Sequence, residues 1–364
     1  MLSPGDPAPA FESRCSAFPT FTSDVAAGRY VVMCFFGSAN QPASRRVLDD
    51  FEQANARFNV RDAMFCGISA DPDDERLARV RQQWPGVIYF WDFDTVLSRA
   101  FDALPPVGTH YSPRTLILDP AMRVLAIVPF TQDVSAHAAQ VLGILDRQPP
   151  VLTIQAFAPV LAIPYVFEPE FCRELIGRYE TQGGRDIGMV CDVDGKTVRV
   201  HDDTHKRRTD CDVSDSATMA AVRSRLERRV FPAIRAAFQF HATQIERYLV
   251  ACYDARDGGF FRAHRDDTSK GSAHRRFAIT INLNAEQYEG GDLRFPEFGY
   301  RTYRAPTGGA IVFACSLLHE ARPVTKGRRF AFLPFVYDEQ AALIREANHK
   351  FLSAELTTPQ PARS

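Results

Sequence analysis

Short, continuous apolar runs alternate with helical patterns over the first 149 residues. Runs of this length predict strands that are buried on both faces of a sheet. The runs occupy residues 30–36, 64–69, 114–119 and 124–129. Residues 43–58 carry apolar positions close to helical spacing, and Asp133 is predicted to cap a closing helix. Alternating elements of this kind predict an α/β sandwich around a central sheet.

A helix end followed by two prolines, Arg147-Gln148-Pro149-Pro150, marks the predicted domain boundary. We therefore expect a first domain over residues 1–149 and a second over residues 150–364. The second begins with a helix from Glu168 and a longer helical pattern over residues 213–240, interrupted near Pro232.

From Arg247 onward the pattern changes to short alternating strands separated by Gly-rich turns. The strands are predicted at residues 247–253, 260–266, 276–284, 309–314, 318–324 and 329–337. Many short strands with such turns predict a barrel or jelly roll, with its core at about 247–337 and the helices packed outside.

Composition excludes several classes of protein. The 43 Lys and Arg residues balance the 44 Asp and Glu residues, which gives no electrostatic reason to expect nucleic acid or an anionic membrane as a partner. No apolar run approaches the roughly 20 residues that a membrane-spanning helix needs. The eight cysteines are scattered without a CxxC motif, and the N-terminus lacks a signal-peptide pattern, so a cytoplasmic protein with reduced thiols is expected.

The stretch from Phe260 to Asp266 carries the strongest candidate chemistry. If it is extended, His264 and Asp266 point to the same side because side chains alternate with period two. His319 is the candidate third ligand. Two histidines and one aspartate form the facial triad of non-haem Fe(II) oxygenases, which leaves coordination positions open.

Arg329 lies ten residues after His319, at the start of a predicted strand. A guanidinium there can hold a carboxylate through two hydrogen bonds. The pattern HxD…H…R meets the requirements for binding 2-oxoglutarate to iron. Two oxygens of the oxoacid and O2 take the open metal positions, and the far carboxylate needs a fixed cation. Arg328 is the neighbouring alternative, and strand alternation places the two arginines on opposite faces.

Other polar clusters have simpler interpretations. Residues 201–205 contain two histidines and two aspartates but lack a carboxylate anchor, which favours a solvated loop over a metal site. His274 is predicted to be a loop residue. The basic residues 206–208 could contact an acidic substrate, and a solvated face is at least as good an explanation.

Residues from about 164 to 337 resemble the prolyl 4-hydroxylase-like branch of the Fe(II)/2-oxoglutarate dioxygenases. The resemblance rests on Tyr253-Asp254, the following Gly-rich turn, the HxD pair, Glu289-Gly290-Gly291-Asp292 and the segment from His319 to Arg329. It implies a double-stranded β-helix, or jelly roll, with supporting helices.

The same resemblance implies residue roles and a reaction. His264, Asp266 and His319 would bind Fe(II), Arg329 would hold the C5 carboxylate of 2-oxoglutarate, and Tyr253 and Asn282 would line its pocket. The reaction would hydroxylate an unactivated C–H of a prolyl, other amino-acid, peptidyl or small-molecule substrate. It would consume O2, release succinate and CO2, and could use ascorbate as reductant.

The first domain resembles the peroxiredoxins and other thioredoxin-fold redoxin domains. The resemblance rests on residues 5–11, on Cys34-Phe35-Phe36 and on residues 111–119. Where that family has Thr-Pro-x-Cys, this chain has Gln41-Pro42-Ala43-Ser44. A serine hydroxyl lacks the nucleophilicity of a thiolate, so a thioredoxin-like α/β domain without peroxidase chemistry is expected.

The cysteines and the role of this domain complete the expectations. Cys34 and Cys66 lie in apolar strands and are expected to be inert, and Cys15 could be exposed, although nothing marks it as reactive. The domain could serve docking, substrate presentation or formation of a homodimer. Two alternatives remain: a thiol peroxidase with an auxiliary second domain, and a non-catalytic module that binds iron and 2-oxoglutarate.

Overall fold

The chain divides into two compact units in the computed structural model, which describes residues 1–154 and 156–357. The N-terminal unit comprises Met1–Phe157 and Pro296–Arg301, and the C-terminal unit comprises Ala158–Phe295 and Thr302–Ser364. Residues 358–364, which the predicted second domain includes, lie outside the described residues. The assignment of residues 296–301 to the N-terminal unit has no signal in the sequence pattern.

A five-stranded sheet forms the centre of the N-terminal unit. The strands of the unit, in chain order, are β1 Glu12–Ser13, β2 Phe21–Thr22, β3 Tyr30–Gly37, β4 Ala63–Ser69, β5 Val87–Trp91, β6 Arg114–Leu118 and β7 Val124–Pro129. The first two form a separate pair, and the other five form the central sheet. The order across the sheet is β5-β4-β3-β6-β7. The strands β3, β4 and β5 are parallel, and β6 and β7 are antiparallel to their neighbours.

Every residue of β4, and every residue of β3 except its last, is buried, which is why these strands read as continuous apolar runs. The α-helices of the unit are α1 Pro42–Gln53, α2 Pro72–Arg76, α3 Val96–Ala100 and α4 His137–Asp146. The α/β fold class is therefore confirmed for this unit. The strand β5 and the short α3 were not predicted.

Two of the predicted helix details differ in the structure. The α1 helix ends at Gln53, five residues before the predicted end at Phe58. Asp133 does not cap α4, because its carboxylate accepts from the backbone N–H of Ser135 and thus forms a turn before the helix starts at His137.

The C-terminal unit is built mainly from strands. Its helices are α5 Pro169–Gln182, α6 Ser216–Arg229, α7 Phe231–Phe238, α8 Glu339–Asn348 and α9 Ala354–Thr357. The break between α6 and α7 falls at Val230, two residues before Pro232, as the proline predicted. Its first eight strands are β8 Leu161–Ile163, β9 Met189–Val193, β10 Lys196–Val200, β11 Lys206–Arg207, β12 Thr209–Asp212, β13 Gln244–Glu246, β14 Leu249–Asp254 and β15 Phe260–His264.

The remaining strands complete two facing sheets, except that β17 and β22 form a separate pair. They are β16 Phe277–Asn282, β17 Glu289–Gly290, β18 Leu293–Arg294, β19 Thr302–Tyr303, β20 Ala310–Ala314, β21 His319–Ala321, β22 Val324–Lys326, β23 Arg328–Phe332 and β24 Phe335–Tyr337. The larger sheet runs β12-β14-β23-β16-β20-β8, with β13 and β24 paired beside it. The smaller sheet runs β11-β15-β21-β18-β19. This arrangement confirms the predicted jelly roll.

Alternation along β14 shows how the larger sheet separates two environments. Val250 and Cys252 point to the outer face and join the apolar core that includes residues of α5, α6 and α7. Ala251 and Tyr253 point inward and join a second cluster that includes Ala321 of the smaller sheet. The side chains of one strand therefore hold the helices outside and line a space between the sheets inside.

The polar segment before β14 contains regular strands that its sequence did not predict. Its turn at Asp194-Gly195 joins β9 to β10, a hairpin that was not predicted. Lys206 and Arg208 are buried, with only Arg207 exposed, so a solvated basic face is wrong for two of these three residues. Within the described part of the chain, no helix has the length and apolarity needed to cross a bilayer.

Candidate metal and carboxylate site

Two histidines and an aspartate meet where β15 pairs with β21. His264 lies directly opposite His319 in the antiparallel register, which is shifted between Phe261 and His264. Asp266 follows the end of β15, and its backbone N–H donates to the carbonyl of Cys315. One ligand atom from each of the three side chains lies within 4.8 Å of the others.

Hydrogen bonds orient both imidazoles toward the carboxylate. Nδ1 of His264 lies 2.7 Å from the carbonyl oxygen of Arg262, and Nδ1 of His319 lies 3.0 Å from that of Leu317. These contacts place the ring protons on Nδ1 and leave the Nε2 lone pairs free. The Nε2 atoms lie 3.6 Å and 3.3 Å from the two oxygens of Asp266.

Burial and mutual proximity set the charges of this cluster. Burial, together with the neighbouring His264, lowers the pKa of His319 to about 4, so this imidazole is neutral at neutral pH. Burial alone would raise the pKa of Asp266, but His319 and His264 more than offset it and hold that pKa far below its usual range. A neutral imidazole and an ionised carboxylate are the forms that bind a metal.

Aromatic rings surround the two imidazoles. Phe261 stacks on His264 with a centroid distance of 3.6 Å, and Phe313 lies 4.5 Å from the ring of His319. These apolar neighbours fix the ring planes and limit the access of water.

Arg329 lines the same cavity from β23, directly opposite Tyr253 of β14. It is only 2% exposed, yet its Nε and Nη1 have no hydrogen-bond partner among the described residues. Its guanidinium carbon lies 4.9 Å from the centroid of the Tyr253 ring. Because a buried and unpaired guanidinium is costly, this arrangement indicates a place for an anion.

The cavity contains most of the predicted site residues. It is lined by Arg208, Arg247, Tyr253, Phe261, His264, Asp266, Ala278, Ile279, Thr280, Leu293, Phe313, His319, Ala321, Arg329, Leu333, Pro334 and Phe335. The centre of a water-sized sphere can move through about 50 Å³ of it.

Asn282 is buried but is not among the residues that line this cavity. Its Nδ2 donates to the carbonyl of Ala305 at 2.7 Å, and its Oδ1 lies 3.4 Å from the hydroxyl of Tyr288. Arg328 points away, as strand alternation predicted, and pairs with Glu180 at 2.8 Å.

The other candidate histidines lie outside the cluster. His201 is exposed and pairs with Asp186 at 2.8 Å, while His205 packs edge-on against Phe261. His274 lies in a turn before β16, as predicted, and is buried there with its Nε2 2.7 Å from the Glu246 carboxylate.

Two cavity residues, Arg208 and Arg247, have no signal in the metal-binding pattern. The sequence pattern places Arg208 in the basic run 206–208 and Arg247 at the start of the predicted strand 247–253. Inward-facing positions become visible only once the strand register is known, because a lone arginine in an alternating sequence does not reveal which face is enclosed.

In the N-terminal unit the position of the expected thiolate holds a buried serine. The hydroxyl of Ser44 donates to the carbonyl of Phe36 at 2.7 Å. Cys15 is buried as well, which rules out the exposed position that the sequence left open for it. Burial raises the pKa of both Cys34 and Cys66 to about 12, which keeps these thiols protonated.

Comparison with known families agrees with both halves of the sequence interpretation. Residues 248–337 match the family described as 2OG-Fe(II) oxygenase superfamily. Residues 4–127 match the AhpC/TSA family. Both resemblances inferred from the sequence are therefore confirmed.

Curated relatives match the oxygenase part. A PKHD-type hydroxylase of Synechococcus sp. (strain JA-2-3B'a(2-13)) is 32% identical over 120 residues, covering 31% of this chain and 51% of the relative. A PKHD-type hydroxylase of Pseudomonas fluorescens is 34% identical over 116 residues, which cover 30% of this chain and 49% of the relative. The chain thus spans about half the length of the curated relatives it matches.

Solved structures similar to each half have low sequence identity. The viral collagen prolyl hydroxylase of Paramecium Bursaria Chlorella virus-1 is 15% identical with a TM-score of 0.37, covering 49% of this chain and 96% of that one. Mycobacterium tuberculosis AhpC is 23% identical with a TM-score of 0.34, and the match covers 40% of this chain and 92% of that one.

Proposed function

We propose that the C-terminal unit is an Fe(II)- and 2-oxoglutarate-dependent dioxygenase that hydroxylates an unactivated C–H. The substrate is an amino-acid, peptidyl or small-molecule substrate, with a prolyl group as the first candidate, and the products include succinate and CO2. One observation carries the proposal: the His264, Asp266 and His319 cluster and the unpaired Arg329 guanidinium line the same cavity.

The residues of the cluster fit ferrous iron. Two Nε2 lone pairs and one carboxylate oxygen would hold the ion, and three ligands on one side leave positions for the oxoacid and O2. Bound iron would activate O2 at the expense of 2-oxoglutarate, with ascorbate as a proposed external reductant. The carbonyls of Arg262 and Leu317 keep each Nδ1 protonated and each Nε2 available.

Arg329 and Tyr253 fit the far end of 2-oxoglutarate. Arg329 would donate its free Nε–H and Nη1–H groups to the C5 carboxylate, which removes the cost of an unpaired buried cation. The Tyr253 ring packs beside the guanidinium and restricts its orientation. Phe261 and Phe313 would exclude bulk water from the metal side.

The N-terminal unit is proposed to act without peroxidase chemistry, in docking, substrate presentation or dimerisation. The thiol peroxidase alternative needs an accessible low-pKa thiol. It is disfavoured because Ser44 occupies the expected position and Cys15, Cys34 and Cys66 are all buried.

Succinate formation from 2-oxoglutarate tests the proposal. The full chain with Fe(II), O2 and ascorbate should form succinate, in the uncoupled reaction or with a substrate panel that includes prolyl peptides and free amino acids. Asp266→Ala should reduce succinate to the no-enzyme level. His241→Ala is the matched control, because His241 is exposed and lies outside the cluster.

Two results would overturn the enzyme proposal in different ways. Succinate formation that never exceeds that of Asp266→Ala, while 2-oxoglutarate still binds in an Fe(II)-dependent manner, would support the non-catalytic binding module. Peroxide consumption with a thiol reductant, lost on substitution of Cys15, Cys34 or Cys66, would support the peroxidase instead.

A further inference from the structure

Besides Arg329, three arginines lie at or beside the cavity, and two of them are neutralised. Arg208 lines the cavity, and its Nε and Nη2 lie 2.8 Å and 2.9 Å from the oxygens of the buried Asp210. Arg275, next to the cavity, pairs with Glu246 at 2.7 Å. Each of these cations therefore has its own carboxylate within the fold.

Arg247 is the cavity-lining arginine that has no such carboxylate. It makes no hydrogen bond or ion pair with any described residue, it is half-buried, and the Phe335 ring lies 5.2 Å from its guanidinium carbon. Ala278, Leu333 and Pro334 complete an apolar wall along the same cavity. A guanidinium at the cavity wall that has no carboxylate of its own is available to an anionic ligand.

The backbone keeps Arg247 at this position. The residue lies between β13 and β14 with φ at +67°, a left-handed conformation that an arginine rarely adopts. Its side chain lines the cavity. A non-glycine residue in this conformation depends on the surrounding structure to hold it there.

The charges that the proposed cosubstrates bring do not neutralise Arg247. Two negative charges of 2-oxoglutarate and one of Asp266 balance the two positive charges of Fe(II) and that of Arg329. The pairs of Arg208 with Asp210 and of Arg275 with Glu246 are already balanced. Lys206 lies 3.7 Å from both Asp186 and Asp210, so it too has carboxylates within the fold. Burial lowers the pKa of Arg247 to about 10, which still leaves it charged at neutral pH.

We propose that the substrate carries a carboxylate and that Arg247 binds it. This inference rests on the proposed dioxygenase function and narrows its substrate class. A planar carboxylate can accept two hydrogen bonds from one guanidinium, which would orient the neighbouring C–H groups toward the metal side of the cavity. The carboxylate can come from a free amino acid or other small acid, or from the C-terminal residue of a peptide.

Binding measured without turnover tests this assignment directly. The anaerobic complex of the full chain with Fe(II) and 2-oxoglutarate is titrated with the free L-amino acids, beginning with L-proline. Three matched sets follow: the N-acetyl amino acids, the corresponding carboxamides, and dipeptides with the preferred residue at the C-terminus. Free and N-acetyl acids separate carboxylate from amine recognition, and dipeptides separate a free acid from a peptide terminus.

Substitutions at Arg247 provide the second arm. Arg247→Gln should weaken binding of the preferred acid about 10- to 100-fold, the range for losing a hydrogen bond to a charged group. Arg247→Lys should recover part of the affinity because it keeps the charge but not the planar fork. Arg228→Gln, on the exposed side of α6, is the control and should leave binding unchanged.

The dissociation constant of 2-oxoglutarate separates the two levels of failure. If 2-oxoglutarate binds and the carboxamides bind as tightly as the acids, or if Arg247→Gln leaves acid binding unchanged, the carboxylate assignment is overturned. If no acid in the panel binds to that complex, the assignment is overturned as well. If 2-oxoglutarate itself neither binds nor is converted to succinate, the proposed function fails first.

Discussion

The buried polar groups of residues 1–154 differ from those of the C-terminal unit in whether they have hydrogen-bond partners. In residues 1–154 of the N-terminal unit, every buried side-chain nitrogen and oxygen has a hydrogen-bond partner. Asp74, for example, accepts from Ser69, from the backbone of Ala39 and from Arg79. In the C-terminal unit, Arg329 is buried with two unpaired nitrogens.

This contrast distinguishes a polar group that holds a fold together from one that holds a ligand. A polar network that is complete within the chain stabilises the native state and leaves nothing for a partner to satisfy. A polar network that lacks partners destabilises the native state until a ligand binds, so unpaired buried groups indicate a functional site. By this criterion Arg329 is a candidate for binding an anion, and residues 1–154 contain no buried nitrogen or oxygen of this kind.

Arg329→Gln gives the largest expected effect and tests the incomplete side of the contrast. We expect binding of 2-oxoglutarate to weaken by about 2–5 kcal/mol, because a buried carboxylate loses its charged partner. Equilibrium dialysis with Fe(II) under anaerobic conditions measures this change. Arg328→Gln is the adjacent control, since that side chain pairs with Glu180 instead. Equal weakening in both variants would contradict the assignment.

A buried histidine makes the stability of the N-terminal unit depend on pH. His137 in the N-terminal unit has its Nε2 2.8 Å from Thr115 Oγ1, and burial lowers its pKa to about 4. The unfolded chain therefore takes up a proton near the ordinary value of 6.5, while the folded chain resists it until about pH 4. Stability is fully present above about pH 6.5 and is lost as pH falls, by about 3 kcal/mol.

Tryptophan fluorescence can follow this loss, because both tryptophans, Trp84 and Trp91, lie in the N-terminal unit. Urea denaturation between pH 7 and pH 4 should show stability decreasing in the wild type. His137→Gln keeps a partner for Thr115 and should remove most of the pH dependence. An unchanged slope in the variant would mean that other groups control it.

Asp92→Ala tests the complete side of the contrast. The buried carboxylate accepts from the backbone N–H groups of Leu97 and Ser98 at 2.8 Å and 2.7 Å, and from the Ser98 hydroxyl at 2.5 Å. Its loss should destabilise the N-terminal unit by about 2 kcal/mol, as expected for hydrogen bonds to a charged group. Urea denaturation followed by tryptophan fluorescence measures it.

The control for that variant is the exposed Asp94, two residues away. Its carboxylate accepts a single bond from Val96, and Asp94→Ala should change stability by less than about 0.5 kcal/mol. Affinity for 2-oxoglutarate should be the same in both variants. A weakened affinity in Asp92→Ala alone would show that the two units do not divide structure and ligand binding as proposed.

Asn282→Ala should give the smallest effect on the site. The Asn282 amide binds the carbonyl of Ala305 outside the cavity lining, so 2-oxoglutarate affinity should change less than about threefold. Thermal unfolding should nonetheless show a loss of about 1 kcal/mol, because a buried carbonyl loses its partner. A large fall in affinity would contradict this assignment and would show that Asn282 lines the 2-oxoglutarate pocket, as the family resemblance implied.

Sequence patterns identified the local elements and the residue types of the site. Period-two alternation marked the strands that carry His264 and Arg329, and Pro232 marked the break between α6 and α7. The pattern failed in residues 183–213, where polar composition concealed β9 and β10. Those strands pair with each other, so their side chains needed no continuous apolar run.

The sequence alone determined the chemistry that this protein can hold: two histidines, a carboxylate and an arginine at spacings that predict iron and 2-oxoglutarate, and a serine where a thiolate would be. Only the tertiary structure decided which polar groups remain unpaired. Arg208 and Arg247 are the same residue type, but Asp210 neutralises one and no described residue neutralises the other. Pairing depends on strand register and burial, which bring distant residues within a few ångströms, and neither is written in local periodicity.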